Sequence, residues 1–93
     1  MELSERAIRD FENEGFSNIY EHQDPAGRVY EEHSHPNKTA IFVTDGSITF
    51  NINGQSKGII APRRFNIPAN TPHSATVGRN GVIMIIASKA DTD

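Results

Sequence analysis

The sequence predicts an all-β closed sandwich or barrel carrying one short N-terminal helix, and three observations lead there. Hydrophobic periodicity changes from the helical repeat to a strand-like period of two near Phe16. Turn-forming residues then recur at short intervals, in Asp24-Pro25-Ala26-Gly27, His35-Pro36-Asn37, Asp45-Gly46, Asn53-Gly54, Ala61-Pro62, Pro68-Ala69-Asn70 and Gly78-Arg79-Asn80-Gly81. Between them lie segments too short for helices, near 17–22, 28–34, 40–44, 47–53, 58–60, 64–67, 73–77 and 82–87. Many short strands with almost no helix argue for a closed β architecture rather than βαβ units.

The helix is expected over residues 1–15. Leu3, Ala7, Ile8 and Phe11 recur at helical spacing, Ser4 reads as the N-cap with Leu3 and Ile8 as a hydrophobic staple, and Gly15 reads as the stop. Glu5, Arg6, Arg9, Asp10 and Glu12 fall on the outward face. The barrel is expected over 16–88, within a single domain covering 1–93. Alternation is cleanest in 47–53, where Ile48, Phe50 and Ile52 share one face. Asp45-Gly46 and Asn53-Gly54 both read as hairpin turns. The run Val82-Ile83-Met84-Ile85-Ile86-Ala87 is apolar on both faces, as expected of a central strand or of one buried against a second subunit.

Composition excludes several classes of function. A chain of 93 residues with net charge −3 offers no basic stripe for nucleic acid, and Arg63-Arg64 is its only basic pair. Without cysteine there is no disulfide, iron–sulfur cluster or thiol catalysis. No apolar run approaches the roughly 20 residues of a membrane-spanning helix. The segment Met1-Glu2-Leu3-Ser4-Glu5-Arg6 is charged and unlike a signal peptide, so a cytoplasmic location is expected. A domain of this size has a thin core, burying roughly 60–65% of its unfolded surface. A bound metal or a second subunit would add to its stability.

Three of the four histidines form a pattern, His33-Ser34-His35 and then His73 after Pro68-Ala69-Asn70-Thr71-Pro72. Histidines at i and i+2 on a strand point to the same side, and a third arriving from a proline turn could complete a three-imidazole pocket. Three neutral imidazoles leave the charge of a divalent ion uncompensated, with positions open to water, hydroxide or an anionic ligand. The candidates are Fe, Mn, Zn, Ni and Cu, and the ligand types alone do not choose among them.

These residues also carry a family resemblance. Gly27–x5–His33–x–His35–x10–Gly46 resembles the first conserved motif of the cupin superfamily, and Pro62–x5–Pro68–x–Asn70–x2–His73 resembles the second. The resemblance runs from about Gly15 to Ala87. It implies a double-stranded β-helix, a jelly-roll-like barrel that is often dimeric, with metal ligands from both motifs at one mouth. On that resemblance His33, His35 and His73 are the metal ligands, and the chain is a homodimer. The family's glutamate, a usual fourth ligand, would stand at Thr39 or Ala40, and the spacing to Gly46 favours Thr39. A neutral hydroxyl is no substitute for a carboxylate ligand. The family's glycine-aspartate pair is Pro62-Arg63 here, its internal glycine is Asn70, which tolerates a left-handed turn, and its closing asparagine is Val77. Thiol dioxygenases of the superfamily also use three histidines without the glutamate, so such a ligand set supports chemistry.

Glu31, two residues before His33, is the candidate catalytic acid–base, since a continuous strand would turn it to the same side. His22 stands alone and reads as a surface or interface residue. Arg63-Arg64 reads as a solvated turn or a clamp for a substrate carboxylate, and Ile41, Phe50 and Phe65 as an apolar pocket or ordinary core. The expected function is a small metal-binding protein acting on a small oxygenated organic molecule by oxidation, isomerisation or hydrolysis. The alternative is a noncatalytic module that binds a metal and a small ligand as a sensor or store. As a regulator's sensing domain it would need a separate DNA-binding partner.

Overall fold

The computed structural model describes residues 2–89; Met1, Ala90 and the terminal Asp91–Asp93 lie outside it. Helix α1 (Leu3–Asn13) is followed by β1 (Ser17–Asp24), β2 (Val29–His33), β3 (Lys38–Ile52), β4 (Gln55–Ile60), β5 (Arg63–Ile67) and β6 (His73–Lys89). The helix starts two residues earlier than an N-cap at Ser4 would place it. Extended Glu2 (φ −68°, ψ 154°) precedes it without a side-chain cap, so Ser4 is not the N-cap but lies inside the first turn. Glu5 in that turn complements the helix dipole. Leu3, expected as part of a staple, remains 40% exposed.

The other end of α1 closes as Gly15 predicts. Gly15 (φ +89°) donates its N–H to the Glu12 carbonyl at 3.0 Å, and Phe16 donates to the Phe11 carbonyl at 2.9 Å. This is the Schellman pattern, and the Phe11 and Phe16 rings, 5.6 Å apart, supply its usual apolar contact.

Six long or medium strands replace the eight short ones expected. β3 and β6 pair antiparallel along their lengths, from Lys38↔Lys89 to Ile52↔His73. The first half of β3 also pairs with β5, and its second half with β4. β6 pairs with β2 through its first half and with β1 through its second. Two four-stranded layers result, β5–β3–β6–β1 and β4–β3–β6–β2, sharing the two long strands. Ile41, Val43 and Met84 of one layer join Ile48, Phe50 and Val77 of the other in a single core. That is the double-stranded β-helical barrel anticipated from the sequence.

Asp45-Gly46 is therefore a bend and not a hairpin. The register against β6 shifts on both sides of it, between Val43 and Asp45 and between Gly46 and Ile48. Gly46 (φ +76°) lies against Gly81 (φ +76°), and a Cβ at 46 would stand 2.0 Å from the Gly81 carbonyl oxygen. Positive φ serves here to fold both long strands over from one layer to the other. Gly78-Arg79-Asn80-Gly81 is likewise internal to β6. Asn53-Gly54 is a true hairpin: Ile52 pairs with Gln55, and φ values of 53° and 78° match a type I′ turn.

Val82–Ala87 is a central strand, covered on both faces within this chain. Met84 faces the barrel interior, while Ile85 and Ala87 pack with Ala40, Ala7 and Phe11 beneath α1. No helix among the described residues is long and apolar enough to cross a membrane.

Candidate metal centre

The barrel topology brings both histidine motifs to one mouth. His33, the last residue of β2, is the register partner of His73, the first of β6. His35 follows two residues later, and its carbonyl accepts the Asn70 N–H at 2.7 Å, tying the loop after β2 to the proline turn before β6. Asn70 there takes φ 56°, the left-handed conformation that the sequence allowed. The ring centroids lie 4.4 Å (His33–His73), 4.8 Å (His33–His35) and 5.3 Å (His35–His73) apart.

One ligand nitrogen from each ring lies within 4.8 Å of the others, close enough for all three to hold one metal ion. Two rings are oriented for it. His33 donates Nδ1–H to the Glu31 carbonyl at 2.7 Å, and His73 donates Nδ1–H to the Thr71 carbonyl at 2.8 Å. A carbonyl can only accept, so Nδ1 carries the proton and Nε2 keeps its lone pair. His35 has its pKa lowered, by burial first and then by the neighbouring His33 and His73, which favours the neutral form that a metal needs. His73 is buried, whereas His33 and His35 are exposed at the rim.

A cavity of about 230 Å³ opens at the histidines and runs into the barrel over Ile41, Ile48, Phe50, Met84 and Ile86. Thr39 lines it, while Ala40 is fully buried on the opposite face under α1. Of the two positions the resemblance offered for a fourth ligand, only Thr39 faces the cavity. Ile41 and Phe50 line the cavity as well, and Phe65 stacks behind Phe50 at 5.1 Å.

Other sequence expectations are corrected. The strand carrying Glu31 is not continuous. Tyr30 pairs with Ala75 and His33 with His73, so three steps on β2 span two on β6. This bulge turns Tyr30, rather than Glu31, to the same side as His33. Tyr30 lines the cavity, and Glu31 is exposed and not among the cavity-lining residues. Only its backbone carbonyl meets His33. The geometric basis for a catalytic Glu31 is therefore lost.

Arg64 is neither a solvated turn nor a substrate clamp. It makes a two-pronged ion pair with Glu14, at 2.5 and 2.7 Å, over the Phe11 ring. Arg63 is exposed.

His22 is part of a network that sequence reading missed. Its Nε2 lies 3.1 Å from Asp24 Oδ1 and 3.0 Å from Tyr30 Oη, and Tyr30 donates to Asp24 Oδ2 at 2.6 Å. His22 and Tyr30 both line the cavity. His22-x-Asp24 on one strand face was a legible signal; the bulge hid the contribution of Tyr30.

No protein-family model matches the sequence. No curated protein matches it either. Solved structures do match. A cupin superfamily protein from Desulfitobacterium hafniense superposes with TM-score 0.71 at 16% identity, over 78% of this chain and 66% of its own. An RmlC-like cupin from Shewanella frigidimarina gives 0.67 at 25% identity, over 81% and 68%. A salicylate 1,2-dioxygenase from Pseudaminobacter salicylatoxidans gives 0.69 at 18% identity, over 75% of this chain and 20% of the enzyme. This chain spans about two thirds of the two smaller proteins and a fifth of the dioxygenase. With both motifs at one mouth of a double-stranded β-helix, the chain has the fold of the cupin superfamily.

Proposed function

We propose that this protein is a small metal-dependent cupin in which His33, His35 and His73 hold one divalent transition metal and the cavity beside them admits a small oxygenated organic molecule. The observation that carries this reading is the convergence of three imidazoles, two with Nδ1–H anchored on backbone carbonyls and Nε2 free. When bound, such a metal supplies Lewis acidity and, if redox-active, electron transfer to a ligand in its open positions. The chain's own residues do the rest. The apolar wall excludes water from the body of the ligand, and Tyr30 and His22 line the same cavity.

A second reading, a noncatalytic metal and ligand sensor, has one observation in its favour. Among the described residues the cavity lining includes no carboxylate side chain, and Thr39 supplies only a hydroxyl. Turnover separates the two readings, since a sensor binds its ligand and releases it unchanged. We further propose a homodimer in the cytoplasm; sedimentation velocity decides the first part and fractionation of the source cells the second.

The test of the metal centre is elemental analysis of tag-free protein beside a His33→Ala/His73→Ala variant. The expected result is near-stoichiometric metal in the wild type and none in the variant. A wild type that stays empty after reconstitution with Mn, Fe, Ni, Cu and Zn in turn overturns the reading.

A further inference from the structure

The cavity has a second polar pole besides the histidines. Asp24 is buried, with its side chain only 1% exposed, and it accepts hydrogen bonds from Tyr30 Oη at 2.6 Å and Arg28 Nη1 at 3.3 Å, with His22 Nε2 3.1 Å from Oδ1. A carboxylate only accepts, so the single phenolic proton of Tyr30 is committed to Asp24. His22 Nε2 lies 3.0 Å from the same Tyr30 oxygen and takes up one of its lone pairs, so toward a ligand this oxygen offers only its remaining lone pair. The Arg28 guanidinium lies over the Tyr30 ring at 4.7 Å and holds it in place, and the register partner of Tyr30 is the small Ala75.

We propose that Tyr30 is a specificity-determining residue that accepts a hydrogen bond from a hydroxyl group on the ligand, so that the cavity selects hydroxylated acids. The acid end of this assignment rests on the metal reading above, because only a cation at the histidines would draw a carboxylate there. The hydroxyl end rests on Tyr30 and Asp24 alone. Ile48, Phe50 and Met84 line the same cavity and offer a surface for a short hydrocarbon body. At about 230 Å³ the cavity is smaller than the roughly 300 Å³ where pockets for drug-sized ligands begin. Burial, and then the hydrogen bond to Asp24, push the Tyr30 pKa up to about 12, so at neutral pH the phenol keeps its proton and this polarity persists.

The test uses ω-hydroxy carboxylates of three to six carbons, each beside the acid lacking the hydroxyl, titrated by NMR into the Co(II)-loaded protein. A flexible series finds its own reach between the poles. At the best length the hydroxyl is expected to tighten binding about five- to tenfold, in line with one neutral hydrogen bond. In Tyr30→Phe that preference disappears, the ratio of the two affinities falling to about one whatever the affinity for the plain acid. Circular dichroism checks that the variant is folded. The wild type provides an independent readout: the Tyr30 ¹³Cζ resonance shifts with the hydroxy acid and not with its partner. No preference at any length, or a preference that survives in Tyr30→Phe, overturns the assignment. Co(II) absorption reports loading separately. Should the metal not load, the acid end is refuted with the metal reading, and phenol against toluene on the unloaded protein decides the hydroxyl end. Equal binding of those two, or a phenol preference untouched by Tyr30→Phe, then refutes that end as well.

Discussion

On the outer surface of β3 and β6, Ala40, Ile85 and Ala87 meet Phe11 and Ala7 of α1, and all five are almost completely buried. On the inner surface, residues one position along the same strands, Ile41 and Met84 among them, border a cavity of about 230 Å³. The outer core is filled and fastened. Phe16 closes on Phe11, Arg64 grips Glu14, and the Lys89 ammonium donates to the Glu14 carbonyl at 2.8 Å. The inner core leaves a void beside three imidazoles. In a protein of 93 residues this division has a physical reason, since an interior kept open for a ligand loses packing that a thin core needs. The helix supplies a second core on the other side of the same sheet.

The corner shared by both regions should give the largest effect. Gly46→Ala places a methyl 2.0 Å from the Gly81 carbonyl oxygen, at a φ of +76° that L-residues rarely adopt. Backbone meets backbone, so no side chain can move aside. We expect a loss of more than about 4 kcal/mol, or failure to fold, in urea unfolding. A loss below about 1 kcal/mol would show that the two long strands can bend elsewhere, and would separate the two regions mechanically.

A pair of truncations sharpens the contrast. Phe11→Ala removes a side chain enclosed on all sides and should cost about 3–5 kcal/mol. Phe50→Ala removes a ring that already faces the cavity on one side, so fewer contacts are lost and the cost should be smaller, about 2–3 kcal/mol. Urea midpoints at constant m-value make the comparison. Equal costs would mean that the inner wall is packed as tightly as the outer one and that the division between them is false.

Much of this arrangement is legible in the sequence. Period-two alternation in Ile48-Thr49-Phe50-Asn51-Ile52, the Asn53-Gly54 hairpin and the spacing of His33, His35 and His73 each reflect local geometry, and each holds in the fold. What was hidden depends on partners distant in sequence. Asp45-Gly46 has the residues of a hairpin, and only Gly81 across the sheet makes it a bend. Strict alternation assigned Glu31 to the cavity, and the bulge opposite Ala75 and His73 gave that place to Tyr30. Arg64 read as a surface charge because its partner, Glu14, lies 50 residues away. Asp24 read as the start of a turn, although burial and three partners make it the centre of a network.

The smallest expected effect lies in the fastening of the outer core. The hydrogen bonds from Arg64 come first among the causes that hold the Glu14 pKa below the ordinary 4.5. A lowered folded pKa means that the unfolded chain binds more protons on acidification. The contribution is therefore complete above about 4.5 and fades as the pH falls through the lower folded value. The Glu14 side chain is 45% exposed, so solvent screening keeps the pair near ~0.2–1 kcal/mol. A double-mutant cycle of Glu14→Gln and Arg64→Met should find that coupling at pH 7 in low salt. It should shrink in 1 M salt, where the screening length is about 3 Å, and vanish near pH 2. Arg64→Met alone should cost more than the coupling energy, because the guanidinium also covers the Phe11 and Phe16 rings at 5.0 and 5.8 Å. A single-variant loss no larger than the coupling would make Arg64 a surface charge after all, and the outer core would then owe its closure to Phe11 and Phe16 alone.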